Sequence, residues 1–342
     1  MSDWSAAGAY SPGTTWHRTV MGSSADPGED FGRLTEPFRR ELIAYGYRML
    51  GSLDDAEEIV QDVYLEAWRA YDRFEGRSSL RTWLYRIATR AFIKGVERRN
   101  RRPLPSDLSA PTADPSAAVR AGPAELAWLQ PAPDSVLTGT TGDPAAVVAR
   151  RDTMRLAFIA ALQILPPRQR AVLILRDVLG LTATEVAAQL NLSVAAVNSA
   201  LQRARARLPA DHDHVGELSQ ARQRELLDRY VAAFENADVA ALVAVLSEDA
   251  SFEMPPFLTW FRGSEAIGRF LGARMHELGK ASVVRTSANG EPAVALYAGP
   301  GDGNRRLHSL HVLTVAAQGI SRVVAFQDIG AVRRFDLPAN RS

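Results

Sequence analysis

The sequence predicts a multidomain chain: two all-α blocks, the second a helix-turn-helix, followed by an α+β domain. Three observations carry this. Residues 36–102 and 150–208 are dense in helix formers, and their apolar positions recur at the 3.6-residue period. Residues 103–150, between them, turn to proline, alanine, serine and threonine, the texture of a linker. From Leu226 onward two amphipathic stretches precede a series of short β-like runs, an order that predicts a curved antiparallel sheet packed on helices.

The segments follow in order. Residues 1–31 hold Gly, Ser, Pro and scattered Trp without a continuous apolar stretch, and read as a disordered leader rather than a secretory signal. The first helical block runs over 32–102 and the linker over 103–150, with an apolar island, Leu126-Ala127-Trp128-Leu129, as a docking point. The second block covers 151–209, and a polar break at 210–222 leads to the last domain, 223–336, and a tail at 337–342. Within that domain helices are expected at Leu226–Asn236, Val239–Leu246 and near Ser264–His276. Strands are expected at Ala250–Met254, 281–287, 292–298, 306–316 and 319–328.

The totals narrow the function classes. The chain has 342 residues, enough for two or three domains, and carries 40 basic against 39 acidic residues, a net charge of +1. The local field depends on placement, and arginines gather at 98–102 and 203–207 while acids line a helix near 54–66. Cysteine is absent, which excludes disulfides and thiolate metal sites. No apolar run approaches the roughly 18 residues of a membrane span, so a soluble, cytoplasmic protein with no membrane partner is expected.

In the first block Ala56, Ile59, Val60, Val63 and Ala67 form a core-facing stripe. Asp55, Glu58, Asp62 and Glu66 fall on another face at i, i+3, i+7 and i+11. Such a row is either a solvated helix face or a docking surface for a basic partner. A second helix starts after Ser78 or Ser79, a capping residue. Tyr71, Phe74 and Trp83 lie among arginines 73, 77, 81 and 86, pairing π-surfaces with charge as unstacked bases require. Arg98, Arg99, Arg101 and Arg102 close the helix as a cluster suited to phosphates.

In the second block Pro167 is placed at a helix start, and Thr182 with Glu185 forms a capping box. Asn191-Leu192-Ser193 forms the turn, and Ser193 caps a helix that buries Val197, Ala200 and Leu201. Asn198, Ser199, Gln202, Arg203, Arg205 and Arg207 are left outward. A polar N-terminal half reaches base edges, and trailing arginines hold phosphates, Arg203 and Arg205 one each.

Leu53-Asp54-Asp55-Ala56-Glu57-Glu58-Ile59-Val60-Gln61-Asp62, Ala67-Trp68 and Ser79 to Ala88 resemble region 2 of an extracytoplasmic-function (ECF) sigma factor of the sigma-70 family. The 165–207 stretch resembles sigma region 4, and the order of the pieces is the family's. The resemblance implies a transcription initiation factor whose partners are core RNA polymerase, through its β′ and β subunits, and promoter DNA. It implies polymerase contacts at Asp55, Glu58, Gln61 and Asp62. The −10 element falls to Trp83, Arg86, Arg90, Lys94, Arg98, Arg99, Arg101 and Arg102, with Arg90 and Lys94 standing where the family often has Asn and Asp. The −35 element falls to Ser193, Asn198, Ser199, Gln202, Arg203 and Arg205. The linker, at about 3.3 Å per residue when extended, spans the two elements.

Residues 223–336 resemble an NTF2-like/SnoaL-like half-barrel through Leu227 to Phe234, Asp249-Ala250, Met254-Pro255-Pro256 and Trp260 to Gly263. With Trp128 to Pro131 they resemble the sigma-G-like subgroup. The tail is then expected to act as a built-in regulator rather than an enzyme, with no catalytic residue, no cofactor and no metal, and with room for a small ligand. Asp249, Asp328, His308 and His311 are the bases such a fold offers. The odd spacing of His308 and His311 predicts opposite strand faces. Two other readings fit parts of the chain. One is a one-component helix-turn-helix regulator sensing a small molecule, which leaves residues 53–88 unexplained. The other is a SnoaL-like enzyme with a DNA-binding appendage.

Overall fold

The structure is a computed structural model, and it describes residues 27–137, 152–208, 219–278, 281–299 and 305–341. Most of the leader, residues 138–150 of the linker and most of the 210–222 break lie outside the described residues. Helix α1 (Pro27–Thr35) begins inside the expected leader, because Phe31 is buried and meets Tyr64, Trp68 and Tyr71 edge to face at 5.1–6.5 Å. The first block continues with α2 (Arg39–Leu50), α3 (Leu53–Ala70) and α4 (Leu80–Arg98). Helix α2 is its centre, buried from Leu42 to Leu50. Each fully buried Leu or Met there contributes about 1.5–3 kcal/mol. Gly51 ends α2 in the left-handed conformation (φ 68°), and the side chain of Leu129 lies where a Cβ would project.

The linker is docked rather than extended. Of the island only Leu129 is buried with the first block; just beyond it Ala132 is buried too, and Gln130 N donates to Gly51 O at 3.0 Å. A short helix, α5 (Asp134–Leu137), follows. The second block is α6 (Leu156–Leu162), α7 (Pro167–Leu173), a π-helical turn over Ile174–Val178, α8 (Ala183–Leu190) and α9 (Val194–Arg207).

The last domain is α10 (Gln220–Glu235), α11 (Val239–Val243), β1 (Leu246–Glu253), β2 (Trp260–Arg262), α12 (Ser264–Leu278), β3 (Ser282–Ala288), β4 (Glu291–Ala298), β5 (Arg305–Ala316), β6 (Gly319–Phe326) and β7 (Asn340–Arg341). The strands form one seven-stranded sheet in the order β2-β1-β6-β5-β4-β3, with β7 on β5. The sheet is mixed rather than antiparallel throughout, because β1 joins β6 in parallel. The intervening chain permits this, since a parallel pair needs a long crossover and α12 with four strands supplies one. The expected tail is also corrected: Asn340 and Arg341 pair with Arg306 and Arg305.

Both faces of this sheet are covered. Val294, Leu296, Leu313 and Val323 face the domain's own helices, while Ala293, Ala295, Tyr297, Leu310, Val312 and Phe326 share a core with the two helical blocks. The unbroken apolar run from Ala293 to Tyr297 is the sequence correlate of a strand buried on both sides.

Candidate nucleic-acid and protein interface

The acidic row on α3 divides in two. Ser52 caps the helix by accepting from Asp55 N, which sets Asp54, Asp55, Glu57 and Glu58 on its first turns. These four are held from within. Arg102 donates to Asp55 Oδ2 from Nη2 at 2.7 Å and to Trp128 O at 3.0 Å, and Arg99 Nη2 reaches Glu58 Oε2 at 2.9 Å. Arg334, from the far end of the last domain, donates to Asp54 Oδ1 from Nε at 2.9 Å and to Glu57 Oε1 from Nη1 at 2.8 Å. One turn further on, Gln61, Asp62 and Glu66 are exposed, and no ion pair reaches Asp62 or Glu66 among the described residues. Leu65 and Trp68 stand beside them 53% and 42% exposed. An acidic rim around exposed Leu and Trp is a surface suited to a protein partner. The sequence pattern gave no sign of this apolar half.

The expected bases-and-phosphates surface is similarly split. Ser79 caps α4 by accepting from Thr82 N, so Arg86, Arg90 and Lys94 line one exposed face at i, i+4 and i+8. Arg98 is exposed at the helix end. Trp83 is a correction: it is 7% exposed and packs against Phe74 at 4.9 Å between centroids, so its ring faces the core and offers no free platform for a base. Arg99, Arg101 and Arg102 are committed to Asp55, Glu58 and Asp107, rather than open to phosphates. Charges of opposite sign built into one block neutralise each other locally.

The helix-turn-helix forms as its caps dictate. Thr182 Oγ1 accepts from Glu185 N at 3.2 Å while the Glu185 carboxylate accepts from Thr182 N at 2.7 Å. Asn191 takes the left-handed conformation (φ 54°) at the turn. Ser193 is used as the N-cap of α9, accepting from Ala196 N at 3.1 Å. Asn198, Ser199, Gln202 and Arg203 are exposed along α9. Arg205 is exposed too, but forks onto Asp177 at 2.7 and 2.9 Å.

The two helical blocks touch. Arg90, Ile93, Lys94 and Glu97 of α4 face Arg168, Leu190 and Leu192 across a cleft of about 400 Å³. Arg170 is buried in the joint, donating to Met49 O, Gln163 Oε1 and Leu165 O. Asn289, at the β3–β4 hairpin tip, ties all parts together. Its Oδ1 accepts from Ala132 N at 2.9 Å, and its Nδ2 donates to Tyr47 Oη at 2.8 Å and Met154 O at 2.9 Å. Next to it, buried Glu291 accepts from Leu156 N at 3.0 Å, and burial raises its pKa. Asn289-Gly290, with φ of 57° and 71°, has the dihedral signs of a tight hairpin turn. That dipeptide marks the hairpin in the sequence; what the tip inserts into was invisible there. Arg334 and Arg170 had no signal at all.

In the last domain the sheet, α10 and α12, with Val119 of the linker, line a cavity of about 250 Å³. His311 lies on its wall, accepting or donating through Nδ1 to Tyr230 Oη at 2.8 Å and through Nε2 to Ser309 Oγ at 2.9 Å. Burial and, less, His308 hold the His311 imidazole down to a pKa of about 3. His308 also lines the cavity, against expectation. A β-bulge inserts it as the extra residue of β5, where Ser309 pairs with Leu296 but Leu307 pairs with Tyr297, and this breaks the alternation of faces. Asp249 and Asp328 are exposed and not on this cavity; Asp328 caps the Ile329–Val332 turn of helix. No cluster of potential metal ligands occurs among the described residues. No described helix is long and apolar enough to cross a membrane.

Comparison with known proteins follows these divisions. Residues 34–102 match the model of sigma-70 region 2, residues 155–208 that of sigma-70 region 4, and residues 227–323 that of a SnoaL-like domain. The chain is 46% identical over 315 residues to the ECF RNA polymerase sigma factor SigG of Mycobacterium tuberculosis (strain H37Rv), covering 90% of this chain and 84% of the relative. It is 28% identical over 243 residues to SigJ of the same organism, 69% of this chain and 70% of that one. The crystal structure of M. tuberculosis SigJ superposes with a TM-score of 0.59 at 21% identity, covering 91% of this chain and 100% of that chain, a likeness of fold. The match over 34–102 accounts for the stretch that a one-component regulator leaves unexplained.

Proposed function

The chain belongs to the ECF RNA polymerase sigma factors, and from that premise we propose how its parts direct initiation and how its last domain restrains them. A sigma factor brings RNA polymerase to promoters and starts transcription there; this chain does so with region 2 at 34–102 and region 4 at 155–208. The open end of α3, Gln61 and Asp62 with Leu65 and Trp68, docks on the β′ subunit. Asp55 and Glu58 join it once Arg99 and Arg102 turn to DNA. Arg86, Arg90, Lys94 and Arg98 hold the DNA backbone at the −10 element. Asn198, Ser199, Gln202 and Arg203 enter the major groove at the −35 element.

The observation that carries the restraint is the contact between α4 and the helix-turn-helix. Two promoter elements lie apart along the duplex, so modules that touch cannot occupy both. The conformation described is a closed one. It is held by the Asn289 tip, which bonds region 2, the linker and the entry to region 4 at once, and by Arg334 on the polymerase-facing helix. Core polymerase and promoter DNA open it by competing for those same groups.

The test is run-off transcription with purified core polymerase, together with retention of core on the immobilised full-length protein. Glu58→Lys with Asp62→Lys is expected to abolish retention while leaving the circular dichroism spectrum unchanged. Retention equal to that of the unaltered chain would remove the docking assignment.

A further inference from the structure

We propose that the cleft between α4 and the helix-turn-helix binds a nucleoside polyphosphate, and that this ligand holds regions 2 and 4 together against polymerase. The cleft, of about 400 Å³, falls in the size range of small-molecule sites, roughly 300–1,000 Å³. Its cations come from both modules. Arg90 and Lys94, one turn apart on α4, share the lining with Arg168 of α7, and all three are exposed. Glu97 is the one acid in that lining.

Elsewhere in these blocks arginine is matched with acid: Arg81 with Glu41, Arg99 with Glu58, Arg101 with Asp107, Arg102 with Asp55 and Arg205 with Asp177. Among the described residues no such partner reaches Arg90, Lys94 or Arg168. A single surface cation is ordinary and solvated. Three that converge from two modules are a different case, because closure sets like charges around one gap and their repulsion opposes it. A polyanion in the gap turns that repulsion into attraction. Arginine forks onto phosphate oxygens and lysine meets them as a point charge, so linked phosphates bridge the modules. The rest of the lining is aliphatic: Ile93, Leu190 and Leu192 are half-buried there. An inorganic polyphosphate leaves these side chains wet, whereas the face of a nucleobase covers them.

The cleft exists only while the two modules touch, so its ligand binds the closed conformer and not the open one. That coupling rests on the closed-to-open reading proposed above; binding to the free protein does not. By linkage, the apparent affinity for core polymerase falls by one plus the ratio of nucleotide concentration to its Kd, about tenfold when that ratio is about ten. In the open complex Arg90 and Lys94 hold DNA instead, so promoter and nucleotide compete for the same two side chains.

Titration calorimetry of the free full-length chain with ATP, GTP and tripolyphosphate at low salt tests the site. Saturable one-to-one binding of ATP or GTP is expected, with tripolyphosphate severalfold weaker. Arg168→Ala should weaken nucleotide binding about tenfold, the effect of one charge-assisted bond, Arg168→Lys by less, and Arg224→Ala on α10 not at all. Arg168 and Arg224 are both exposed, so neither change removes a core side chain. No saturable binding by either nucleotide overturns the proposal, as does an equal loss in Arg168→Ala and Arg224→Ala. Tripolyphosphate binding as tight as that of the nucleotides overturns the nucleoside assignment. Retention of core polymerase on the immobilised chain reads the coupling. Added nucleotide should lower retention by the unaltered chain far more than by Arg168→Ala, a comparison that cancels nucleotide bound by polymerase itself. An equal effect on both chains, or none, overturns the coupling. Core that is never retained, with or without nucleotide, removes the sigma reading and leaves the site standing.

Discussion

Arg203 and Arg205 stand two residues apart on α9 and do different work. Arg203 is exposed along the recognition face, whereas the Arg205 guanidinium forks onto Asp177. An exposed pair of this kind contributes about 0–1 kcal/mol, small enough to break but enough to bias the side chain away from DNA. Arg203→Ala should therefore weaken binding to a −35 duplex and lower the slope of log K against log salt by about one. Arg205→Ala should lower it by less; equal slopes from a salt titration would contradict the distinction. His311 makes the second prediction at this scale. Its folded pKa, about 3, lies below the ordinary imidazole value of about 6.5. The unfolded chain binds a proton there that the folded chain refuses, so the stability it contributes is present above pH about 6.5 and is lost as pH falls toward 3. His308, also lowered by burial, acts in the same sense. Glu291, raised by burial, acts in the opposite one, losing its contribution as pH rises past the usual carboxylate range. Melting curves should show a shallower acid decline in His311→Gln than in the unaltered chain; parallel declines would refute it.

At the scale of elements, local signals in the sequence were sufficient where local chemistry decides the outcome. The Thr182–Glu185 box, Pro167 at a helix start and Ser193 as a cap each act within three or four residues, and each is found as expected. Thr182→Ala should cost region 4 about 1 kcal/mol. Protease protection of residues 183–207 should fall accordingly, and unchanged protection would show that the box is dispensable. Elements decided by distant partners were not legible. The bulge at His308 depends on how β4 pairs with β5, and a spacing argument alone put the two histidines on opposite faces. The parallel pairing of β1 with β6 depends on the whole crossover. Trp83, expected beside arginines as a surface for bases, packs against Phe74 and lies in the core, an outcome set by the neighbouring helix ends rather than by its own sequence position. Arg334 meets Asp54 across 280 residues of sequence, a distance over which no pattern carries information.

For the whole molecule, the central claim is that the last domain keeps two promoter-reading modules in contact until polymerase separates them. Asn289 links three parts of that hold, and its loss takes a partner from Ala132 N and Met154 O, while Tyr47 Oη keeps its bond to Gln130 O. Removing one member of such a buried network costs about 1–3 kcal/mol per orphaned group, so Asn289→Ala should raise run-off transcription severalfold at limiting core polymerase. Lower or equal output from a folded variant would argue against the hold. The most direct measurement uses the absence of cysteine, which lets two introduced thiols be the only labelling sites. Arg73→Cys and Ala206→Cys are exposed, one in region 2 and one in region 4. Energy transfer between dyes at these sites should report a single short separation in the free protein and a longer one with core polymerase bound. A separation that is already long in the free protein, or that does not change when polymerase binds, would contradict the closed-to-open mechanism.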